Sequence, residues 1–140
     1  MSKVAVVYWS GTGNTEAMAY AVADGAKEKG FDVTVFSAVE FSPSDVDAFD
    51  AIAFGCPSMG SEELEDSEFA PMFSSCEAKL SGKKIALFGS YGWGDGEWMR
   101  NWEDTCKADG AVLSCESVIC NGTPDDEAIS QCKVLGSSLS

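Results

Sequence analysis

Histidine is absent from this sequence of 140 residues, and its 9 lysines and arginines are outnumbered by 23 aspartates and glutamates. The absence of histidine argues against haem ligation and against histidine-based acid–base catalysis. The six cysteines show no C-x-x-C pair and no clustered spacing of the kind that holds zinc. We therefore expect no metal site, and we expect the cysteines to be reduced thiols that act mostly as small buried apolar residues.

Long apolar runs are missing as well. No stretch reaches the roughly 18 apolar residues of a membrane-spanning helix. The opening segment MSKVAVVYWSG lacks the basic and apolar regions of an export signal. The net charge of −14 repels phosphate backbones and anionic lipids, so nucleic acids and membranes are disfavoured as partners. Together these absences predict a cytoplasmic protein.

The acidic residues are unevenly distributed along the chain. Between Glu40 and Glu77 there are ten acids and no lysine or arginine. Such a segment is either a solvated surface that keeps the protein in solution or a docking face for basic partners. The sequence alone leaves both interpretations open.

Apolar runs that are typical of buried strands alternate with helical patterns along the whole chain. The strand patterns cover 3–9, 31–37, 48–55, 83–90 and 111–120, and the probable helices between them include 66–79 and 96–110. A final helix is predicted to use Thr123 as its N-cap and Pro124 as its first residue. This alternation predicts one α/β domain over 1–140, a doubly wound, five-stranded parallel sheet with helices on both faces. Ligands of such sheets bind beyond the carboxyl ends of the strands.

The turn after the first strand, SGTGNT at 10–15, has the composition of an anion site. Backbone amides at a helix N-terminus carry partial positive charge, and glycines let an anion come close. The turn is not a Walker A loop because it lacks the lysine, and Glu16 occupies the third glycine position of G-x-G-x-x-G. Nucleoside triphosphates and dinucleotides are thus disfavoured. The alternative is a glycine-bearing turn that binds nothing.

Two later loops favour a ligand. GCPSMGSEELEDSEF at 55–69 places Met59 on a loop, and GSYGWGDGEWM at 89–99 places Trp93 between two glycines. An aromatic ring and a thioether that face each other would hold a flat ring system between them. By contrast, Trp98 and Trp102 have helical spacing and are predicted to be core residues.

At these three loops the sequence resembles the flavodoxins, specifically the short-chain flavodoxins of anaerobic Firmicutes, and the likeness extends over the whole chain. The resemblance implies a flavodoxin-like three-layer fold with strand order 2-1-3-4-5 and noncovalently bound FMN. It implies no catalytic and no metal-binding residue. The cofactor-binding residues that it implies are Ser10, Gly11, Thr12, Gly13, Asn14, Thr15, Ser58, Met59, Gly60, Ser61, Glu62, Ser90, Tyr91, Gly92, Trp93, Gly94, Asp95 and Asn121.

The resemblance also implies a role for each group of these residues. Residues 10–15 would hold the FMN phosphate, and Ser90 would assist near the phosphate and the ribityl chain. Met59 would lie on the inner face of the isoalloxazine and Trp93 on its outer face, with Glu62 at N3. Residues 92–94 would donate amides toward O2, Asp95 would line this loop, and Asn121 would reach the ribityl chain or the ring edge.

Two positions depart from the family pattern. Pro57 stands where a serine often adds a hydroxyl to the phosphate site, so we expect one phosphate contact fewer, with Ser58 as a possible substitute. Ser61 stands where some relatives carry aspartate, which changes the energetics of the turn.

The implied function is that of a low-potential one-electron carrier that shuttles mainly between semiquinone and hydroquinone. In the resembling proteins the Gly60 carbonyl accepts a hydrogen bond from the protonated flavin N5. The fully reduced flavin is an anion, and the three loops contain no cation to offset it, so its formation is costly. The implied partners are redox proteins with basic docking faces, such as ferredoxin-type reductases and acceptors, and the implied state is a monomer.

Two alternatives remain open. The first is a small FMN-dependent NAD(P)H quinone or nitro reductase, which generally needs additional loops or a dimer contact to seat the nicotinamide. The second is a phosphate-binding regulatory module of receiver type, whose acidic pocket and lysine after strand five are not apparent.

Overall fold

The central strands of the sheet form because their sequences are continuous apolar runs that can be covered on both faces. The computed structural model describes residues 2–59, 63–92 and 94–139. Its strands are β1 Lys3–Tyr8, β2 Asp32–Ser37, β3 Ala51–Gly55, β4 Lys84–Tyr91, β5 Val112–Leu113 and β6 Val118–Asn121. Its α-helices are α1 Asn14–Glu28, α2 Pro43–Val46, α3 Phe69–Cys76, α4 Glu97–Ala108 and α5 Asp126–Ser137.

All the strand pairings in the described part of the chain are parallel. The order is β2-β1-β3-β4-β5, and β6 also pairs with β4. This confirms the predicted order 2-1-3-4-5. The register places Tyr8 beside Gly55 and Gly55 beside Phe88, so the carboxyl ends of β1, β3 and β4 meet at one edge.

Helices cover both faces of the sheet. On one face, α3 and α4 contribute Phe69, Phe73 and Trp102 to a core that is rich in aromatic residues, where the Phe69 and Trp102 rings are 5.4 Å apart. On the other face, Met18 of α1 and Leu135 of α5 belong to a second core. Trp98 and Trp102 are 2% and 3% exposed, which confirms that they are core residues.

Helices α1 and α5 lie unusually close together because each contributes a glycine to the contact. A Cβ atom added to Gly25 would lie 2.0 Å from the carbonyl oxygen of Lys133. One added to Gly136 would lie 2.0 Å from the carbonyl oxygen of Val22. The two backbones therefore touch where any side chain would keep them apart.

The prediction of a single fifth strand over 111–120 was wrong. The strand is divided into β5 and β6, and within the interruption at 114–117 the Ser117 hydroxyl donates to Glu103 of α4 at 2.6 Å. Pairing with β4 resumes where Val118 lies beside Phe88.

Three further boundaries differ from the prediction. The strand expected over 48–55 begins at Ala51, because the chain turns after α2: the amides of Ala48 and Phe49 donate back to the carbonyls of Asp45 and Val46. The helix expected over 66–79 is α3 followed by a 3-10 turn at Glu77–Lys79. The N-cap of α5 is Asp125, not Thr123, because the Asp125 carboxylate accepts the amide of Ala128 at 2.8 Å.

The six cysteines are free thiols, and four of them are buried, as predicted. Of the helices within 2–59, 63–92 and 94–139, none combines the length and the apolar character that a membrane crossing requires.

Candidate functional site

The turn between β1 and α1 leaves the first amides of α1 available to a ligand. Gly13 is the N-cap, with a φ of 96°, and no side chain among the described residues caps this helix. The Ser10 hydroxyl instead accepts the amide of Gly13 at 3.0 Å, which closes the turn on itself. A helix start with exposed amides and no capping carboxylate attracts an anion.

A pair of buried hydroxyls lies beneath this turn. The Oγ1 atom of Thr15 is 3.0 Å from the Oγ atom of Ser90, and the Ser90 amide donates to Thr15 at 3.4 Å. Thr15 and Ser90 are 1% and 5% exposed. They join the first turn of α1 to the end of β4, so the two predicted binding loops are held together through side chains.

A cavity of about 210 Å³ opens at this edge of the sheet. It brings together eight of the predicted site residues, drawn from all three predicted loops: Gly11, Thr12, Asn14, Ser58, Met59, Ser90, Tyr91 and Gly92. Its lining also includes Trp9, Pro57 and Gly122, which the site prediction omitted. Trp9 directly follows β1 and Gly122 directly follows β6, so their position after a strand was the available signal.

Six other predicted residues lie outside the lining of this cavity. They are Ser10, Gly13, Thr15, Gly94, Asp95 and Asn121. Ser10 and Gly13 form the turn through their hydrogen bond, and Thr15 contributes one hydroxyl of the buried pair. Asp95 is paired with Arg100 at 3.0 Å, with both side chains exposed, and Asn121 is paired with Tyr91 in the sheet.

The remaining predicted residues, Gly60, Ser61, Glu62 and Trp93, lie outside the described residues. The first three follow Met59 and precede Glu63 in the sequence. Met59 and Glu63 exchange two backbone hydrogen bonds, of 2.8 and 2.9 Å, and so close the loop at its base. The Met59 side chain is 39% exposed at the cavity, a high value for a large apolar residue.

The indole of Trp9 forms a fixed part of the cavity wall. Its Nε1 donates to the Glu68 carboxylate at 2.8 Å, and its ring lies 3.0 Å from the point where a Cβ atom of Gly11 would be. A side chain at Gly11 would therefore displace either the indole or the turn.

The charges around the cavity are mostly negative. None of the described residues in its lining is a lysine or arginine, whereas Glu63, Asp66 and Glu68 are exposed nearby. Glu65 is buried among them. Its burial would raise the pKa of this carboxyl, but hydrogen bonds from the Ser67 hydroxyl and from the amides of Phe69, Glu68 and Ser67 lower the pKa to about 2. Glu65 therefore remains ionised.

A larger cavity, of about 660 Å³, lies between the 115–119 segment and α5. Its charged lining residues are Glu116 and Glu127, and it is not next to the start of a helix that lacks a cap. Its two carboxylates repel an anionic ligand, and no lysine or arginine among its described lining residues offsets them.

An anion turn built from backbone dipoles lies beside a partly apolar slot, where the strand order reverses around β1. These features define a class of α/β proteins that hold a mononucleotide with one terminal phosphate and a flat ring. A family model described as Flavodoxin matches residues 6–134. The chain belongs to the flavodoxin family.

The full-length relatives agree with this assignment. Flavodoxin from Megasphaera elsdenii is 47% identical over 133 residues, which are 95% of this chain and 95% of that protein. Flavodoxin from Clostridium beijerinckii is 44% identical over 134 residues, 96% of each chain. The solution structure of two-electron reduced Megasphaera elsdenii flavodoxin superimposes with a TM-score of 0.89 at 47% identity and covers 96% of both chains. The resemblance to short-chain flavodoxins is thus confirmed.

FMN is the cofactor of this family, and the protein is an FMN-dependent electron carrier, not an enzyme. The residues present fit this cofactor. The amides of α1 lack a capping side chain, and a Cβ at Gly92 in the cavity lining would have no neighbour within 4 Å, which leaves space beside the slot.

Proposed function

We propose that this protein is a low-potential, one-electron carrier of the cytoplasm that acts as a monomer and exchanges electrons with redox proteins that have basic docking faces. The observation that carries the proposal is the uncapped, cation-free turn beside the slot that Met59 lines. FMN, when bound, supplies the redox chemistry by taking up and releasing electrons.

The terminal phosphate would be held by the turn at 10–15 without help from a cation. The first amides of α1 supply partial positive charge, and the side chains of Thr12 and Asn14 line the adjacent cavity. Ser90 and Thr15 would complete this site from below, since their hydroxyls already form a pair and can reorient toward an oxygen atom. Pro57 lines the cavity without a donor of its own, which supports the expectation of one phosphate contact fewer.

The flat ring would lie in the slot that Met59 lines from one side, with Trp93 proposed as the wall on the other. The 39% exposure of Met59 supports this role, because an apolar side chain of that size is costly to leave in water. Gly92 and Gly94 would lend amides to the ring, and Glu62 would contact its N3 edge. Gly60, Ser61 and Asn121 complete the proposed contacts.

The electrostatics of the site oppose the addition of negative charge. The part of the lining that the structure describes contains no lysine or arginine, Glu65 is ionised within the adjoining loop, and the chain as a whole carries a charge of −14. Each added electron must be accommodated in this negative field. The field therefore lowers the reduction potential, most strongly for the electron that leaves a net negative charge on the ring.

Exposed carboxylates near the slot would guide partners to its open edge. Glu63, Asp66 and Glu68 are exposed on the loop that carries Met59, and a partner with lysines or arginines in this position would be attracted before contact. Such docking is transient and weakens as salt screens the charges, over about 8 Å at physiological ionic strength.

An anaerobic reductive titration of the FMN-loaded protein, followed by visible absorbance, tests the proposed function. We expect two resolved one-electron steps with a distinct spectral species between them, and a second midpoint potential well below that of free FMN. A single two-electron transition would contradict the carrier mechanism. The rate of electron exchange with a basic redox protein should also fall as salt is raised, and a rate that does not depend on salt would contradict the proposed docking.

A further inference from the structure

The segment that leads from β3 to α3 carries Met59, the side chain that lines the slot, and it is held by hydrogen bonds at both ends. At its base, the Glu65 amide donates to the Cys56 sulfur at 3.3 Å. Cys56 is itself fixed, because its carbonyl accepts the Trp98 indole at 3.2 Å and its amide donates to Phe88 at 3.1 Å. The segment therefore starts and ends on a rigid platform.

Glu65 lies where this segment meets α3, and its carboxylate is the acceptor for an entire turn. Oε1 accepts the amides of Glu68 and Phe69, each at 2.8 Å, and Oε2 accepts the amide of Ser67 at 2.9 Å and also the Ser67 hydroxyl. The side chain is 5% exposed. Glu68, the N-cap of α3, makes no capping hydrogen bond of its own. Glu65 therefore takes the place of the helix cap.

We propose that Glu65 is a positioning residue for the FMN site, whose buried carboxylate fixes the 56–65 segment to the start of α3 and thereby sets the position of Met59 and of the Met59–Glu63 pair. The proposal rests on the proposed function of Met59 as a wall of the slot. Two links connect Glu65 to that wall. Its own amide is bonded to Cys56 at the start of the segment, and Glu63, two residues before it, pairs with Met59.

The physical effect follows from the number of donors that Glu65 satisfies. Charge-assisted hydrogen bonds from amides are strong, and a buried carboxylate with four donors leaves little freedom to the backbone that carries it. An uncharged amide at this position would accept fewer of these bonds and would bring donors of its own, so the turn at 65–69 would loosen. The base of the loop would then open more often.

Asp66 supplies a matched control. It is the next residue, it carries the same charge, and its side chain is exposed. No hydrogen bond to its carboxylate is found among the described residues. Asp66→Asn therefore removes one negative charge next to Glu65 and leaves the turn intact, whereas Glu65→Gln removes the charge and also some of the hydrogen bonds that the carboxylate accepts.

The experiment measures amide hydrogen exchange of Met59 and Glu63 by NMR in the protein without and with FMN, and then FMN affinity and both midpoint potentials. In Glu65→Gln we expect exchange at Glu63 to rise and FMN to bind more weakly, each by about tenfold or more. Exchange at Val6 in the core should change less than at Glu63. The gap between the two midpoint potentials should change, because a loosened loop affects the oxidation states unequally.

In Asp66→Asn we expect unchanged exchange and a shift of both potentials in the same direction. Equal exchange and equal potentials in the two variants would overturn the proposal, as would a uniform rise in exchange over the whole chain. If Glu65→Gln does not fold, Ser67→Ala removes one donor and keeps the charge. A smaller rise in exchange at Glu63 would then support the proposal, and no rise would overturn it. The exchange data without FMN do not depend on electron transfer, so failure of this proposal is distinct from failure of the proposed function.

Discussion

The hydroxyl oxygens of Thr15 and Ser90 lie 3.0 Å apart, although 75 positions separate the two residues in sequence. The pair joins the first turn of α1 to the end of β4, and both side chains are buried. Two loops that each contribute to the slot are thus held at a fixed distance before any ligand arrives. Such preorganisation reduces the ordering cost of binding.

Thr15→Val keeps the shape of the side chain and removes its hydroxyl. We expect FMN affinity to fall by roughly tenfold, because Ser90 loses a buried partner and the proposed phosphate site loses a donor. Fluorescence quenching of FMN on titration with the apoprotein measures the affinity. Thr34→Val, at an exposed position on β2, is the matched control, and equal affinity in the two variants would contradict the role of the hydroxyl pair.

Met59→Ala and Trp93→Ala each remove one proposed wall of the slot. We expect each to weaken FMN binding, by up to about 1.5 kcal/mol for the thioether. Trp93→Ala should also raise the second midpoint potential by admitting water that solvates the added charge. Spectroelectrochemistry measures both potentials. Val39→Ala truncates another exposed apolar side chain away from the slot and serves as the control. An unaltered second potential in Trp93→Ala would show that the indole does not wall the slot.

Gly136→Ala places a methyl group where the Val22 carbonyl oxygen is 2.0 Å away. The added Cβ atom and the Val22 carbonyl oxygen are both attached to backbone and cannot rotate away, so α1 and α5 must separate. We expect a loss of about 3 kcal/mol in the free energy of unfolding. Urea denaturation measures this loss. Ser137→Ala changes the next residue of the same helix and should cost much less. A Gly136→Ala protein of wild-type stability would contradict the close contact between these helices.

The low pKa of Glu65 makes a pH dependence of stability predictable. The pKa lies near 4.5 in the unfolded chain and at about 2 in the folded protein, so the unfolded state binds the proton more readily. The stabilising contribution is complete above about pH 4.5 and is lost as the pH falls toward 2. The stability difference between wild type and Glu65→Gln should therefore shrink over this range. Denaturation at a series of pH values tests this, and a constant difference would contradict the assignment.

The thiols should differ in reactivity according to their burial. Burial raises the pKa of Cys56, Cys106 and Cys132 to about 12, so they carry almost no thiolate at neutral pH. Cys115 and Cys120 are only half-buried. We expect these two to react first with a thiol reagent in the native protein, and the others only on unfolding. Rapid modification of Cys56 in the native protein would contradict this order.

The sheet was predictable because VAVVY and IALFG are continuous apolar runs of strand length, rich in residues that favour strands, and each is followed by a glycine-bearing turn. The division of the fifth strand was not predictable. It coincides with the contact of Ser117 with Glu103, and a sequence pattern does not report which side chain a serine will contact. Thr123 and Asp125 are both suitable N-caps, and only the path of the chain after β6 selects between them.

The candidate site was likewise predictable only in part. The glycine turn and Met59 are unusual within their surroundings, and they stand out in the sequence. Glu65 belongs to the acidic run SEELEDSE and looks like its exposed neighbours. Its burial follows from the way the chain turns into α3 and offers three amides to one carboxylate. The sequence likewise predicts Trp9 as the last residue of a strand, whereas in the structure its indole donates to Glu68.

The contact of α1 with α5 has a consequence for synthesis. The core face that contains Met18 and Val22 is covered in part by Leu135 and Cys132, which the ribosome adds more than about a hundred residues later. Until α5 has emerged, a nascent chain exposes this apolar face, and no short-range contact can replace it. A chain truncated before α5 should therefore aggregate or be degraded even though every residue of the slot up to Gly122 has been made.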